Sequence, residues 1–292
     1  PNRVGTVGDP MISHKYGFNW NSPIALSPQN PKVVYFGGNV LFKSTDYGMS
    51  WTPISGDLST NDPAKQQSSG GPIVVDNTAA EFHCTILTIA PSPLDSNVIW
   101  VGTDDGNVQV TRDNMTSFTN VTNNLPGLPA GHMYWVARVV ASAHDSARAY
   151  VAVDGHRNND MKPYAFMTND FGRTFVSISG NLPAYGNLQT IAEDPKNPDL
   201  LYAGTEFGLY ISLNRGQSWQ KFMTNYPTIR TDDIRVHPRD GDLIVASHGR
   251  SVWIADDITP LQQLTPAVMN SDVHLFDIRP AVAWLQDRKL GQ

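Results

Sequence analysis

A single cysteine, Cys84, stands in 292 residues. No disulfide can close within this chain, and no multi-cysteine zinc site can form in it. Charge is sparse at 16%, and acids outnumber bases by 27 to 21, for a net charge of −6. A general nucleic-acid binder needs a basic footprint to displace counterions, so that class is excluded. No apolar run approaches the roughly 18 residues that a membrane-spanning helix requires. The phosphate loop G-x-x-x-x-G-K-[ST], the zinc helix H-E-x-x-H, the G-x-S-x-G elbow and the calcium loop are all missing. No cofactor is expected. No metal is expected either: Glu81, His83 and Cys84 could join His156 or His248 in a patch, but their spacing matches no ligand pattern. The chain opens at Pro1 without Met or leader pattern, so a processed or partial chain is expected, with any targeting segment upstream.

What is present is punctuation and core. Gly numbers 23 and Pro 21, while hydrophobic residues make up 40%. That composition supports a large core cut by many turns. Five segments look alike: Tyr35-Phe36-Gly37-Gly38, Trp100-Val101-Gly102-Thr103, Tyr150-Val151-Ala152-Val153, Tyr202-Ala203-Gly204-Thr205 and Ile244-Val245-Ala246-Ser247. Each follows a polar turn, beginning at Ser27, Ser92, Ser142, Asp194 or His237. Before each turn lies an apolar run: Pro23–Leu26, Ile86–Ala90, Val136–Ala141, Leu188–Ala192 and Ile234–Val236. The unit recurs every 40 to 65 residues or so, which fits one four-stranded antiparallel blade per repeat. The expected fold class is therefore all-β, a β-propeller with about five blades visible, forming part of a larger propeller. An open arc would leave strand edges unpaired. Missing blades are expected from an upstream segment or a second chain. Residues 1–266 are assigned to blades. Residues 267–292, with Val273–Ile278 reading as a strand, are assigned to ring closure or to a following domain.

A second motif repeats inside the first. Ser44 to Trp51 reads S-x-D-x-G-x-x-W, and Thr168 to Phe175 has the same shape. Ser212 to Trp219 keeps Ser, Gly and Trp with Asn214 for Asp, and Thr111 to Phe118 lacks the Gly. A hairpin between outer strands explains this pattern. The Asp or Asn side chain binds turn amides, Gly takes positive φ, and the aromatic ring packs under the blade. Asp46, Asp113, Asp170 and Asn214 are thus read as turn residues rather than catalytic acids.

These residues resemble the Asp-box, or bacterial neuraminidase repeat, propellers. That group includes sialidases, xyloglucanase-like glycoside hydrolases, sortilin-type receptors and photosystem assembly factors. More narrowly, the chain looks like blades of large secreted bacterial sortilin-like or glycosyl-hydrolase-like repeat proteins. The stretches from Phe18 (FNWNSPIALSP), Gly204 (GTEFGLYISLNRGQSW) and His248 (HGRSVWIADDITPLQQL) carry the likeness, which covers about residues 18–266. The resemblance implies a secreted or periplasmic protein. A sialidase would need an arginine triad, and nothing in the spacing of Arg138, Arg157, Arg230 and Arg250 marks one. Xyloglucanase-like enzymes place their site between two propellers, and only one set of blades is visible here.

In such a fold, chemistry is expected on the face where the hairpins between second and third strands open, opposite the aspartate turns. The hairpins offer Asn39, Asp104, Asp105, Asp154, His156, Arg157, Glu206, His248 and Arg250. The inter-blade connections offer Trp20, Asn21, Glu81, His83, Tyr134, Trp135, Arg230, Asp232 and Asp233. Aromatic rings mixed with polar groups suit sugars and also peptides. One expectation is a binding or scaffold module gripping glycan or peptide, with His83, Trp135, His156, Arg157, His248 and Arg250 in contact. The alternative is a glycoside hydrolase acting on a β-glucan. It would need two carboxylates across a sugar bond, one from Asp104 or Asp105 and the other from Glu206, Asp232 or Asp233. Asp104-Asp105-Gly106 also reads as an ordinary hairpin turn. The polar insertion 57–85 is expected as a mobile loop or a rim element.

Overall fold

The computed structural model describes residues 11–71, 73–76, 80–281 and 283. Every strand in it pairs antiparallel with its sequence neighbour. Blade 1 comprises β1 (Ile24–Leu26), β2 (Val34–Gly37), β3 (Leu41–Ser44) and β4 (Thr52–Pro53). Blade 2 comprises β5 (Ile86–Pro91), β6 (Ile99–Thr103), β7 (Val108–Thr111) and β8 (Thr119–Asn120). Blade 3 comprises β9 (Trp135–Ala141), β10 (Ala149–Asp154), β11 (Tyr164–Thr168) and β12 (Val176–Ser177). Blade 4 comprises β13 (Leu188–Glu193), β14 (Leu201–Thr205), β15 (Gly208–Ser212) and β16 (Gln220–Lys221). Blade 5 has three strands, β17 (Thr231–Val236), β18 (Leu243–Ser247) and β19 (Val252–Ala255). The molecule is a partial β-propeller.

Four apolar cores lie between successive blades. Alternation along a strand explains how one strand serves two of them. Val151 and Val153 of β10 face blade 2, whereas Tyr150 and Ala152 face blade 4. Strands buried on both faces therefore read as continuous apolar runs.

The inner strands of blades 2 to 5 each carry one extra residue: Leu87, Ala137, Gln189 and Asp232. Such bulges sharpen the twist of a strand. Directly after each bulge, the inner strand pairs with the aligned small residue of the sequence repeat: Gly102, Ala152, Gly204 or Ala246. The small residue has a steric cause. A Cβ on Gly102 would come within 2.4 Å of Val136 in the next blade.

The turns that carry Asp46, Asp113, Asp170 and Asn214 join the third and fourth strands of blades 1 to 4. Asp46 accepts hydrogen bonds from the Ser50 N–H at 2.9 Å and from the Ser44 and Ser50 hydroxyls at 2.7 and 2.6 Å. Asn214 reproduces the arrangement with its amide, accepting from the Ser218 N–H and donating to the Ser218 hydroxyl, both at 2.8 Å. Trp219 packs between blades 3 and 4, its indole donating to the Ile178 carbonyl at 2.8 Å. In the turn that lacks glycine, Met115 itself takes φ 66°.

The Ser50 side chain, then that of Ser44, holds the Asp46 carboxyl down at about 2, and Ser117 does the same for Asp113. Folded-state values below the unfolded one give stability that is present above pH 4 or so and fades as pH falls toward 2. Asp46→Asn with Asp113→Asn should mimic Asn214. The double variant is expected to keep its fold at pH 7 and to lose less of its urea midpoint between pH 4 and 2 than the parent. Equal losses in both proteins would refute the assignment.

Both ends of the arc are open. Ile24 and Leu26 of β1 are 69% and 64% exposed, and Val252 and Ile254 of β19 are 56% and 60% exposed. Val273–Ile278 forms no strand, contrary to expectation. Pro260 and Pro266 open two short helices, Thr259–Gln262 and Pro266–Met269, after β19. The Gln263 side-chain amide then occupies both the N–H and the C=O of Asp277, each at 2.9 Å, and Arg279 is tied to Asp242. The segment is thereby held as extended chain without a ladder. Residues 282 and 284–292 of the expected closing region lie outside the described residues.

Candidate functional site

The five inner strands surround one cavity of about 750 Å³ along the axis. Antiparallel order puts the β2–β3, β6–β7, β10–β11, β14–β15 and β18–β19 hairpins at one end of it and the aspartate turns at the other. Glu206 and His248 therefore share an end.

At that mouth, the Arg157 guanidinium lies 3.3 Å from the centre of the Trp135 ring. Trp135 begins β9, and Arg157 sits in the long β10–β11 hairpin, so one blade builds the stack. Asp154 orders it from below. Its carboxylate faces His156 Nδ1 at 2.6 Å and Arg157 Nη1 at 3.4 Å, and accepts from Asn187 Nδ2 at 2.7 Å. Burial lowers the Arg157 pKa and nearby Arg230 adds to the effect, while Asp154 and Asp104 oppose it. Groups from blades 2, 3 and 5 thus act on one another across the mouth. Opposite, Arg230 Nε donates to Asp232 at 2.7 Å, and its Nη2 lies 3.0 Å from His248 Nδ1. Asp232 also lies 3.1 Å from that ring nitrogen. Asp232 is the bulge residue of β17, which gives its side chain this position. Arg250 is exposed, and its guanidinium has no ionic partner among the described residues.

Asp104 and Asp105 are placed differently from the expected acid or base. Both are essentially fully buried. Asp104 accepts from the Thr85 N–H and hydroxyl at 2.8 and 2.9 Å, and lies 3.5 Å from His83 Nδ1, whose pKa it raises. Asp105 accepts from the Thr60 N–H and hydroxyl, each at 2.7 Å, and from Thr103. These carboxylates clamp the insertion onto blade 2. Leu58, buried, accepts from Asn107 and Gln109 and completes the clamp, so this part of the insertion is a rim element. Residues 72 and 77–79 lie outside the described residues. Burial, together with Asp105, pushes the Cys84 thiol up to about 12, so it is a neutral packing group.

Asp233 stands in the channel wall. It pairs with Arg138 of β9 at 2.9 Å and lies 3.6 Å from Arg235, so its charge ties blade 5 to blade 3. Asn39 donates to Asp57 at 2.7 Å, Trp20 donates to Glu81 at 3.1 Å, and Tyr134 donates to Asp160 at 3.0 Å. Asn21 lines the cavity. Glu206, at the β14–β15 tip, donates its backbone N–H to the Asn187 carbonyl at 3.1 Å, while its carboxylate has neither a hydrogen-bond nor an ionic partner among the described residues. Among the described residues, no three of His, Cys, Asp and Glu converge to hold a metal ion. Two residues of this face were not anticipated, Tyr185 and Phe207, whose exposed rings stack at 6.0 Å.

No family model and no curated protein matches the chain. Solved structures do resemble it. The GH74 xyloglucanase from Xanthomonas campestris aligns with a TM-score of 0.56 at 13% identity, over 87% of this chain and 38% of its own. An ancestral GH74 enzyme aligns with a TM-score of 0.52 at 16% identity, over 86% of this chain and 33% of its own. A chain of the COPII outer coat vertex on membranes aligns with a TM-score of 0.50 at 11% identity, over 81% of this chain and 58% of its own. The chain spans about a third of the length of the two enzymes. At these identities the likeness shows the propeller fold alone, and that fold serves both an enzyme and a coat. No helix among the described residues is long and apolar enough to cross a membrane.

Proposed function

We propose that this arc is a binding or scaffold module that grips glycan or peptide at the hairpin-side mouth of the channel. The observation that carries the reading is the Arg157 guanidinium lying flat on Trp135, with Arg230, Asp232 and His248 opposite. Flat apolar faces edged by donors and acceptors suit sugar rings and peptide groups alike. The hydrolase alternative loses half of its carboxylate pair, because Asp104 and Asp105 are saturated inside blade 2. The open faces of blades 1 and 5 are completed by further blades, from the same polypeptide or a second chain. The family resemblance supports a secreted or periplasmic setting.

Ligands selected on glycan and peptide arrays should lose about ten-fold in affinity when Arg157→Gln and Arg230→Gln are combined. Thermal unfolding should stay near that of the parent, because neither arginine belongs to an interblade core and part-exposed ion pairs add little to stability. Unchanged affinity would rule out the mouth as the site.

A further inference from the structure

The hairpin of blade 4 carries a feature separate from the mouth. Thr205 pairs with Gly208, so only Glu206 and Phe207 form the tip. The Phe207 ring lies at 16° to that of Tyr185, which belongs to the connection from blade 3. The two rings are 40% and 64% exposed, and neither joins an interblade core. The backbone is shaped to admit them. Gly186 holds φ 127°, and a Cβ there would come within 3.0 Å of the Phe207 ring. Paired aromatic rings left in water at one spot mark a contact surface.

The charge of this surface defines the group that it fits. Elsewhere on this face each acid has a partner. Glu81 accepts from Trp20, Asp104 and Asp105 are saturated, Asp154 faces His156 and Arg157, and Asp232 faces Arg230 and His248. Glu206 is half-buried and has none among the described residues. An uncompensated carboxylate beside two ring faces combines its own charge with the negative faces of the aromatic quadrupoles. The matching group is a cation with an apolar or flat flank. A sugar ring could stack on the rings but would leave the carboxylate charge unanswered.

We propose that Tyr185, Phe207 and Glu206 receive a basic side chain, arginine or lysine, of a peptide partner. The inference rests on reading the hairpin face as a binding surface, and it selects peptide at this subsite.

The test uses the full chain with labelled Tyr, Phe and Trp rings, followed by NMR. The probes are acetyl-arginine amide, its neutral isostere acetyl-citrulline amide, and cellohexaose. Arginine amide should shift the Tyr185 and Phe207 resonances saturably, with citrulline amide binding about ten-fold more weakly. Glu206→Gln, which breaks no hydrogen bond or ion pair among the described residues, should erase that difference while unfolding like the parent. Equal shifts from citrulline, no saturable shift, or movement by cellohexaose alone would overturn the proposal. A glycan or peptide that moves Trp135 but leaves Tyr185 and Phe207 unmoved would also overturn it, and would leave the wider reading standing. Arginine amide binding at Tyr185, with the array ligands indifferent to Arg157→Gln and Arg230→Gln, would do the reverse.

Discussion

Gly204→Val is expected to abolish folding or to leave a protein melting far below the parent. Gly204 has ordinary backbone angles, so conformational freedom is not the issue. Space is. A Cβ would come within 2.7 Å of Thr190 Cγ2 in its own blade, and of Thr231 Cγ2 and the Thr231 carbonyl oxygen in the next. The carbonyl belongs to the first residue of β17, which cannot retreat without shifting blade 5. Overpacking costs roughly 1–3 kcal/mol where side chains alone must yield. Valine adds three carbons against a backbone wall, so a loss on the order of 4 kcal/mol or more is expected, a large share of a typical 5–15 kcal/mol total. The contrast lies in blade 3, where the equivalent Ala152 is fully buried yet accommodated. Ala152→Gly should therefore cost only about 1 kcal/mol. Thermal unfolding of both variants checks this. A Gly204→Val protein melting within a few degrees of the parent would contradict the blade-to-blade packing described above.

The same steric demand explains why the fold was legible. The small residue recurs because each inner strand must cross close to it, and the runs before the polar turns became β1, β5, β9, β13 and β17. The aspartate turns were legible because their chemistry is local: one side chain binds amides four residues on. Contacts between distant segments were not. Nothing near Asp105 in the sequence announces Thr60, whose hydrogen bonds bury it, so a hairpin acid looked equally suited to catalysis. Tyr185 and Phe207 meet across a blade connection that no periodicity encodes. Val273–Ile278 has the β-branched look of a strand, but a side-chain amide from Gln263 holds the backbone groups of Asp277 that a ladder would need. At the mouth, Trp135, Arg157, Arg230, Asp232 and His248 could be gathered from the repeat, because position along a blade sets the end of the axis. Their pairing could not.

Asp104→Ala is the second change with a large expected effect. It removes the acceptor of two buried donors, the Thr85 N–H and hydroxyl. Each stranded donor costs roughly 1–3 kcal/mol, so a loss of about 3 kcal/mol is expected. For a chain of this size that is about 5–10 °C in Tm. His83 loses its carboxylate at the same time, and its raised pKa should relax toward the ordinary value. Loss of the clamp should also loosen the insertion, exposing the backbone around Thr60 to proteolysis. A catalytic acid would behave in the opposite way: its removal would spare or raise stability and erase turnover.

One paired assay therefore decides between a binding face and a hydrolytic one: release of reducing ends from soluble β-glucans, read beside thermal unfolding, for the parent and for Asp104→Ala. No reducing ends from the parent, with a melt lowered in the variant, is the expected result. Turnover by the parent that vanishes in a variant melting at the parent temperature would contradict it.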